Sequence, residues 1–480
     1  MLTLLIALSS MHQTTTPTLP FLSPVFGNHM VLQRGKVNRI WGWTSPGSKV
    51  RVQLGSRHSD AVAGADGLWL ASIRPPAPGG PYHLKITGVQ NVDFDDVLVG
   101  DVWLCSGQSN MQMGLSVVNN GPDEVKNANH PDIRLLFAPL VAATIPKQTI
   151  GGEWQVCTPQ TVGNGGWGGF SAAAYFFGRE LNQRLHIPIG LIDSCWGGTI
   201  GEAWVSEAGL RPVKDFDSVL DSLDAGAKAG TGPQTQDPNV PTVLNNGMIR
   251  PFSPMAIKGV IWYQGESNIG RAEQYRRILP ALFRDWRTMF DDDDLPFMVA
   301  QLANSGVRKK LPGDDGWAEL REAQALTVAN DSHAGLACLI DTGTLGDIHP
   351  KDKQDAGKRL ALAALSVAYH QHLVSSGPVF KRLSLDEGEA RVMFDHTDGG
   401  LQYKASSLGG FALAGADKVF YWAQARIDGD TVVLASPKVP NPVAVRYGWD
   451  ADPVAPLYNG ADLPAVPFRT DAWAHTTGAT

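Results

Sequence analysis

The chain is poor in cysteine, and its cysteines form no recognisable pattern. Four cysteines are scattered over 480 residues, without a Cys-x-x-Cys pair or a Cys/His spacing suited to zinc. No metal site is therefore expected. Buried free thiols are favoured over a disulfide framework, although four cysteines still allow one bridge.

Basic clusters are also lacking. The formal net charge is −7, and no run of Lys and Arg occurs, whereas nucleic-acid phosphates are bound by clustered cations. We therefore expect no nucleic-acid partner.

A G-x-G-x-x-G pattern occurs at Gly163–Gly168, but no convincing apolar strand precedes it. The pattern therefore favours a surface loop over a dinucleotide site, and no cofactor is expected.

Long apolar runs are confined to the amino terminus. No other stretch approaches the ~20 apolar residues of a membrane span, so none is expected. Residues 2–10 have the apolar run and small-residue end of a short signal peptide, but no Lys or Arg precedes them. We expect export to the periplasm or the exterior, with residues 1–18 as signal peptide and leader. Translation from Met11 would instead give a cytoplasmic protein.

Composition and patterning predict a globular chain of about three domains. Hydrophobic residues make up 43% and charged residues 18% of the chain. Short alternating runs between Pro and Gly turns predict a β domain over residues 19–95. Apolar strands alternating with helical periodicity predict an α/β domain over 96–374, which contains the candidate catalytic segments described below. Short strands return in a β-rich region over 375–480.

A small-residue turn at Ser109 follows the apolar run at 97–105. A serine at the carboxyl end of a buried strand lies where open α/β sheets place their ligands, and the helix start after it supplies N–H groups for an anion. Ser109 is therefore a candidate nucleophile, and its own N–H a candidate oxyanion donor. The alternative is an ordinary helix N-cap.

His349 is the candidate base. It precedes a predicted helix, and Pro350 fixes the adjacent backbone. A carboxylate on the same loop could hold one imidazole nitrogen while the other faces the serine. The alternative is a solvated or packed histidine, as most of the 12 histidines should be.

Two further strand ends supply candidate hydrogen-bond donors for an oxyanion. The first ends at the glycine pair Gly197 and Gly198, where a main-chain N–H can approach a ligand without obstruction. The second ends at Gln264, whose amide could donate to the same oxygen. For either segment alone, a simple tight turn is the alternative.

Together these segments resemble the SGNH, or GDSL-like, hydrolase superfamily, and most closely its sialate O-acetylesterase family. The resemblance implies a three-layer α/β/α catalytic domain with a mostly parallel sheet, flanked by β-sandwich-like N- and C-terminal regions. It covers nearly the whole chain and rests on Asn28–Arg34, Gly107–Met111, Trp196–Thr199 with Glu202 and Trp204, Trp262–Asn268, Asp347–Pro350, Val443–Trp449 and Pro467–Thr470.

The resemblance also implies roles. Ser109 would be the nucleophile and His349 the general base and acid, with the Ser109 and Gly198 N–H groups and the Gln264 side chain forming the oxyanion hole. Many relatives carry the triad acid three residues before the histidine, a position held here by Gly346. Asp347, two residues before, is the expected acid, and Asp341 or Glu266 are alternatives.

The implied substrate is an acetylated carbohydrate, specifically O-acetylated sialic acid. Its carboxylate calls for a cation, for which Arg250 and Arg271 are candidates. Further candidate substrate-binding residues are Trp196, Glu266 and Asn268. Acetylxylan or another polysaccharide, which needs no such cation, is the alternative substrate. A non-catalytic carbohydrate-binding protein is the alternative of another class, and the sequence leaves the oligomeric state open.

Overall fold

The computed structural model describes residues 19–228, 236–386 and 388–478. The candidate signal peptide at residues 2–10 and the alternative start at Met11 lie outside these ranges. Within them, no helix combines the length and the apolar character needed to cross a bilayer.

The amino-terminal region consists of short strands. Its strands alternate between buried and exposed side chains; in the third of them Val50, Val52 and Leu54 are buried and the residues between are exposed. The strands are β1 (Val31–Gln33), β2 (Asn38–Trp43), β3 (Lys49–Leu54), β4 (Arg57–Val62), β5 (Leu68–Ile73) and β6 (Gly79–Thr87).

The next strand, β7 (Asn91–Gly107), passes through the predicted boundary at 95/96. Its first half alternates in burial and pairs antiparallel with β6. Its second half is buried throughout and pairs in parallel with a strand on each side. Continuous burial is expected where a parallel sheet is covered on both faces. One strand therefore joins the two regions.

The catalytic sheet has the order β13-β12-β11-β7-β10-β8-β9 and is parallel except for the β8–β9 pair. The predicted α/β class, with a mostly parallel sheet and flanking β-rich regions, is confirmed. The strands after β7 are β8 (His130–Phe137), β9 (Trp154–Cys157), β10 (Ile189–Cys195), β11 (Gly259–Tyr263), β12 (Phe297–Ala300) and β13 (Ala334–Ala337).

Helices cover both faces of this sheet. Val102 and Leu104 of β7 contribute to one apolar core, and Trp103 and Cys105 to the other. The first core also contains residues of α7 and α8, and the second residues of α4 and α9. The helices are α1 (Ser109–Gln112), α2 (Gly121–Asn127), α3 (Pro159–Gly163), α4 (Ala172–Leu185), α5 (Glu207–Leu210), α6 (Asp217–Lys228), α7 (Ala272–Phe290), α8 (Gly316–Ala329) and α9 (Lys353–Val367).

The carboxyl-terminal region is built from antiparallel sheets of order β14-β15-β20-β19, β18-β17-β21-β23 and β16-β22. All four cysteines of the chain are buried free thiols. The strands are β14 (Val379–Asp386), β15 (Glu389–Asp395), β16 (Leu401–Tyr403), β17 (Phe411–Ala414), β18 (Phe420–Trp422), β19 (Gln424–Asp428), β20 (Thr431–Ala435), β21 (Ala444–Tyr447), β22 (Leu457–Asn459) and β23 (Phe468–Arg469).

Candidate active site

Sheet register brings the predicted strand ends together. Gly107, the last residue of β7, pairs with Cys195 at the end of β10 and with Tyr263 at the end of β11. The residues that follow these three positions therefore emerge side by side at one edge of the sheet. The strands that follow β7 in sequence lie on both sides of it, with β8 and β10 on one side and β11 on the other. Open α/β sheets form their ligand crevice at such a reversal of strand order.

The turn before Ser109 requires glycine. Gly107 has a φ of +141°, and a Cβ there would lie 2.1 Å from the Tyr263 carbonyl oxygen. The close approach lets the Gln108 N–H donate to that carbonyl at 3.0 Å. The chain then enters α1, whose first residue is Ser109. The nucleophile turn is thereby anchored on β11.

Ser109 and His349 are brought into direct contact. Ser109 Oγ lies 3.0 Å from His349 Nε2, a hydrogen-bond distance that suits proton transfer. The imidazole packs edge-on against the ring of Trp167, with centroids 4.8 Å apart. Partial burial lowers the pKa of His349, an effect opposed by the Asp347 carboxylate, and this favours the neutral imidazole that a general base requires.

Among the three candidate acids, Asp347 lies beside the imidazole. Its Oδ1 is 3.6 Å from His349 Nδ1 and accepts the His349 backbone N–H at 2.8 Å. Asp341 is instead held by Arg359 and by the hydroxyl of Tyr458. Glu266 accepts a hydrogen bond from Asn110. Asp347 as the triad acid stays a prediction, with an electrostatic contact to Nδ1 in place of a hydrogen bond.

The glycine pair after β10 packs against the nucleophile. A Cβ on Gly197 would lie 3.2 Å from the Ser109 Cβ, and the Gly197 N–H donates to Gln112 Oε1 at 2.8 Å. Gly198 has a φ of +75°, and no described atom lies within 4 Å of where its Cβ would be. Gly198 therefore borders open space directly after the residue that packs against Ser109, and its role as an oxyanion donor stays a prediction.

Gln264 is placed differently from the prediction. Its Nε2 donates to the Thr199 carbonyl at 3.1 Å and to Asn268 Oδ1 at 2.7 Å, and the side chain is fully buried. Both amide hydrogens are thereby used within the protein. Gln264 braces the turn that carries Gly198, and it would have to exchange one of these bonds to donate to an oxyanion.

The candidate substrate residues separate into two groups. Glu266 and Asn268 are buried behind the site, where Asn268 binds Gln264, Glu202 and the Gly201 N–H. Trp196 is half-buried and its backbone N–H binds the Gly107 carbonyl. The structure thus brings Trp196 to the sheet edge and keeps Glu266 and Asn268 inside the protein.

The two candidate cations also differ. Arg271 is 41% exposed and pairs with the buried Glu202, which connects it to Asn268. Arg250 lines a separate cleft with Ser206 and Asp285, and neither Ser109 nor His349 lines that cleft. Arg271 is therefore the cation linked to the candidate site, and Arg250 is not brought to it.

Sequence reasoning missed several residues that the structure places around Ser109 and His349. Asn110 and Lys353 form a buried hydrogen bond, and Gln112 accepts the Gly197 N–H. Asn110 lies in the Gly107–Met111 motif directly after Ser109, so its position in the sequence could have indicated a role at the site. Lys353 gave no such indication, because a lysine at a helix start is usually solvated.

Comparisons with known proteins identify related carbohydrate esterases. The sequence profile described as "Carbohydrate esterase, sialic acid-specific acetylesterase" matches residues 99–365. A sialate O-acetylesterase from Homo sapiens is 32% identical over 489 residues, covering 92% of this chain and 90% of its own length. The corresponding protein from Mus musculus is 31% identical over 506 residues, covering 92% of each chain.

A solved structure is similar over nearly the full length. The crystal structure of a novel carbohydrate acetylesterase from Xanthomonas citri has a TM-score of 0.83 and 41% sequence identity, covering 95% of this chain and 100% of that one. The profile spans more than half of the chain and the curated relatives extend over most of it. The chain therefore belongs to the sialic acid-specific acetylesterase family of carbohydrate esterases.

Proposed function

We propose that this chain removes O-acetyl groups from carbohydrate, with O-acetylated sialic acid as its substrate, through an acetyl-serine intermediate on Ser109. The observation that carries the proposal is the 3.0 Å contact between Ser109 Oγ and His349 Nε2 at the ligand edge of the sheet. Its sialate O-acetylesterase relatives support the choice of ester and sugar.

The first half of the reaction acylates the serine. Ser109 Oγ attacks the acetyl carbonyl carbon while His349 Nε2 takes the hydroxyl proton. The carbonyl oxygen becomes an oxyanion held by the backbone N–H groups of Ser109 and Gly198. When the tetrahedral intermediate collapses, the bond to the sugar oxygen breaks and His349 returns the proton to that oxygen.

The second half releases acetate. Water loses a proton to His349 and attacks the acetyl carbon, and the same N–H donors hold the new oxyanion. Collapse breaks the bond to Ser109 Oγ, which regains the proton from His349. Asp347, at 3.6 Å from Nδ1, stabilises the imidazolium that exists during both halves.

The sugar preference rests on charge. Sialic acid carries a carboxylate, and Arg271 is a part-exposed guanidinium next to the site network. Its Nη1 is used by Glu202 and Gln274, and an arginine has further N–H donors for a carboxylate. Acetylated xylan would make no use of this cation.

The test measures acetate release from O-acetylated sialic acid and from acetylated xylan oligomers side by side. Wild type should prefer the sialic acid ester, and Ser109→Ala should lose activity on both. Ser222→Ala, at an exposed helix position, is the matched control and should behave as wild type. Equal rates for Ser109→Ala and wild type would overturn the serine mechanism, and a preference for xylan would overturn the substrate.

A further inference from the structure

The side chain of Asn110 lies at the junction of three segments that build the candidate site. Its Nδ2 donates to Glu266 Oε1 at 2.5 Å and to the Ile348 carbonyl at 3.0 Å. Its Oδ1 accepts from Lys353 Nζ at 2.7 Å. Asn110 follows Ser109 directly, and Ile348 precedes His349 directly. One amide thus connects the nucleophile turn to the histidine loop.

Lys353 is unusual in its burial. It is the first residue of α9, four positions after His349, and its side chain is fully buried. The ammonium lies 5.0 Å from the centroid of the Tyr263 ring. Burial lowers the pKa of Lys353 to about 7, and the negative charge of Glu266 partly opposes this. A group that is costly to bury and touches no solvent requires a structural or functional reason.

Glu266 is the acidic counterpart on the other side of Asn110. Burial raises the pKa of its carboxyl group, and the hydrogen bond from Asn110 opposes this. Its Oε2 has no hydrogen-bond partner among the described residues. Asn110 therefore lies between a buried cation and a buried carboxylate.

We propose that Lys353 is a positioning residue, whose ammonium fixes the orientation of the Asn110 amide so that Asn110 holds the His349 loop against the Ser109 turn. The inference rests on the proposed serine mechanism and deepens it. It makes the distance between Ser109 Oγ and His349 Nε2 depend on a lysine that contacts neither atom.

The amide chemistry gives the reason. Both N–H groups of Asn110 face acceptors and its oxygen faces the Lys353 ammonium, so three hydrogen bonds together fix the position of the amide. Without the ammonium, the oxygen is left unsatisfied in a buried site, and the side chain gains by shifting toward water or another donor. Such a shift weakens the bond to the Ile348 carbonyl and loosens the backbone next to His349. A displacement of 1 Å at a reacting group costs about 100-fold in rate.

The central experiment compares Lys353→Met with Lys358→Met, an exposed position on the same helix. Lys353→Met should lower kcat by about 100-fold and leave KM nearly unchanged, because Lys353 contacts no substrate. Labelling of Ser109 by a small activated phosphonate ester should slow in parallel. Lys358→Met should match wild type in each measurement. The proposal is overturned if Lys353→Met keeps the wild-type kcat, or if only its KM rises.

A double variant separates positioning from simple stabilisation. Glu266→Gln combined with Lys353→Met removes both buried charges, so the thermal midpoint should recover toward the wild-type value. The kcat should stay low, because no ammonium holds the Asn110 oxygen. Recovery of kcat together with the midpoint would show that Lys353 only balances charge, which contradicts the proposal.

If Lys353→Met fails to fold, Asn110→Ala tests the same link. It removes the bond to the Ile348 carbonyl and should lower kcat to a similar extent with KM unchanged, whereas a wild-type kcat would overturn the proposal. Ser109→Ala separates this inference from the proposed function. If Ser109→Ala stays active, the serine mechanism itself fails; if it is inactive while Lys353→Met and Asn110→Ala are as active as wild type, only the positioning role fails.

Discussion

His349 carries opposing influences on its pKa. Burial lowers the pKa and the Asp347 carboxylate raises it. In the proposed mechanism the active form of His349 is the neutral imidazole. Activity should therefore be retained as the pH falls, until the pH reaches the pKa of His349, which lies below the ordinary value of 6.5. Asp347→Asn removes the negative charge that raises the pKa of His349 and that would stabilise the imidazolium. The acid limb of kcat/KM should therefore move to lower pH, and kcat should fall by about 100-fold.

The measurement is a pH profile of kcat/KM for wild type, Asp347→Asn and the matched variant Asp132→Asn. Asp132 is exposed at the start of β8, and its variant should reproduce the wild-type profile. If Asp347→Asn had the wild-type profile, Asp347 would not be the triad acid. Glu266 would then be the next carboxylate to test.

Arg271 is the residue proposed to bind the carboxylate of sialic acid. Arg271→Met should raise KM for O-acetylated sialic acid by about 10-fold, the equivalent of one charged hydrogen bond of about 1.4 kcal/mol. It should leave the hydrolysis of a neutral aryl acetate unchanged. Steady-state kinetics on both esters test this, with Arg250→Met as the control because Arg250 lines a different cleft. An equal loss on both esters would instead assign Arg271 a supporting role through Glu202.

At the scale of elements, the turns after the strands determine the site, and Gly198 offers a controlled test. Gly198 and Gly35 have φ values of +75° and +73°, and neither position has a described atom within 4 Å of an added Cβ. Alanine at either site should therefore cost a similar 1–2 kcal/mol or so of left-handed strain. Only at Gly198 should the methyl group enter the space beside Ser109, lowering kcat/KM by about 10-fold.

Thermal unfolding and kcat/KM of Gly198→Ala and Gly35→Ala, measured together, decide this. Equal losses of stability with a loss of activity at Gly198 alone are expected. If the two variants were equally active, Gly198 would not border the reacting carbonyl, and its assignment as an oxyanion donor would fall.

Element patterns also show what a sequence can predict. The strand before Ser109 was predictable because a continuous apolar run indicates burial on both faces, and parallel strand ends meet at one edge. The hydrogen bonds of Gln264 could not be predicted from the sequence, because they depend on Thr199 and Asn268 meeting at that edge in the folded chain. Lys353 was also missed, since only tertiary packing distinguishes a buried lysine from a solvated one at a helix start.

At the scale of the whole molecule, the regions are connected by shared structure. The strand β7 belongs to both the amino-terminal strands and the catalytic sheet. The carboxyl-terminal region is held to the catalytic domain by Arg321 of α8, which is fully buried. Its guanidinium donates to the carbonyls of Leu302 and Ala303 in the catalytic domain and of Asp450 and Ala451 beyond it. Burial lowers the pKa of Arg321 to about 10, so the side chain stays charged at neutral pH.

Arg321→Met should therefore loosen the connection between these two regions. It removes the guanidinium donors to four carbonyls. Those of Ala303 and Ala451 keep a second donor, from Trp317 Nε1 and the Ser305 N–H, whereas the buried carbonyls of Leu302 and Asp450 lose theirs. The loss should be about 3 kcal/mol, because each buried group left without a partner costs roughly 1–3 kcal/mol and part of this is recovered by water. Calorimetry should show a lower midpoint and a carboxyl-terminal transition that separates from the main one. Arg284→Met, at an exposed position of α7, should leave the scan unchanged. A single wild-type transition for Arg321→Met would mean that the remaining contacts, among them the ion pairs of Arg446 with Asp314 and of Arg469 with Glu322, are enough to hold the regions together.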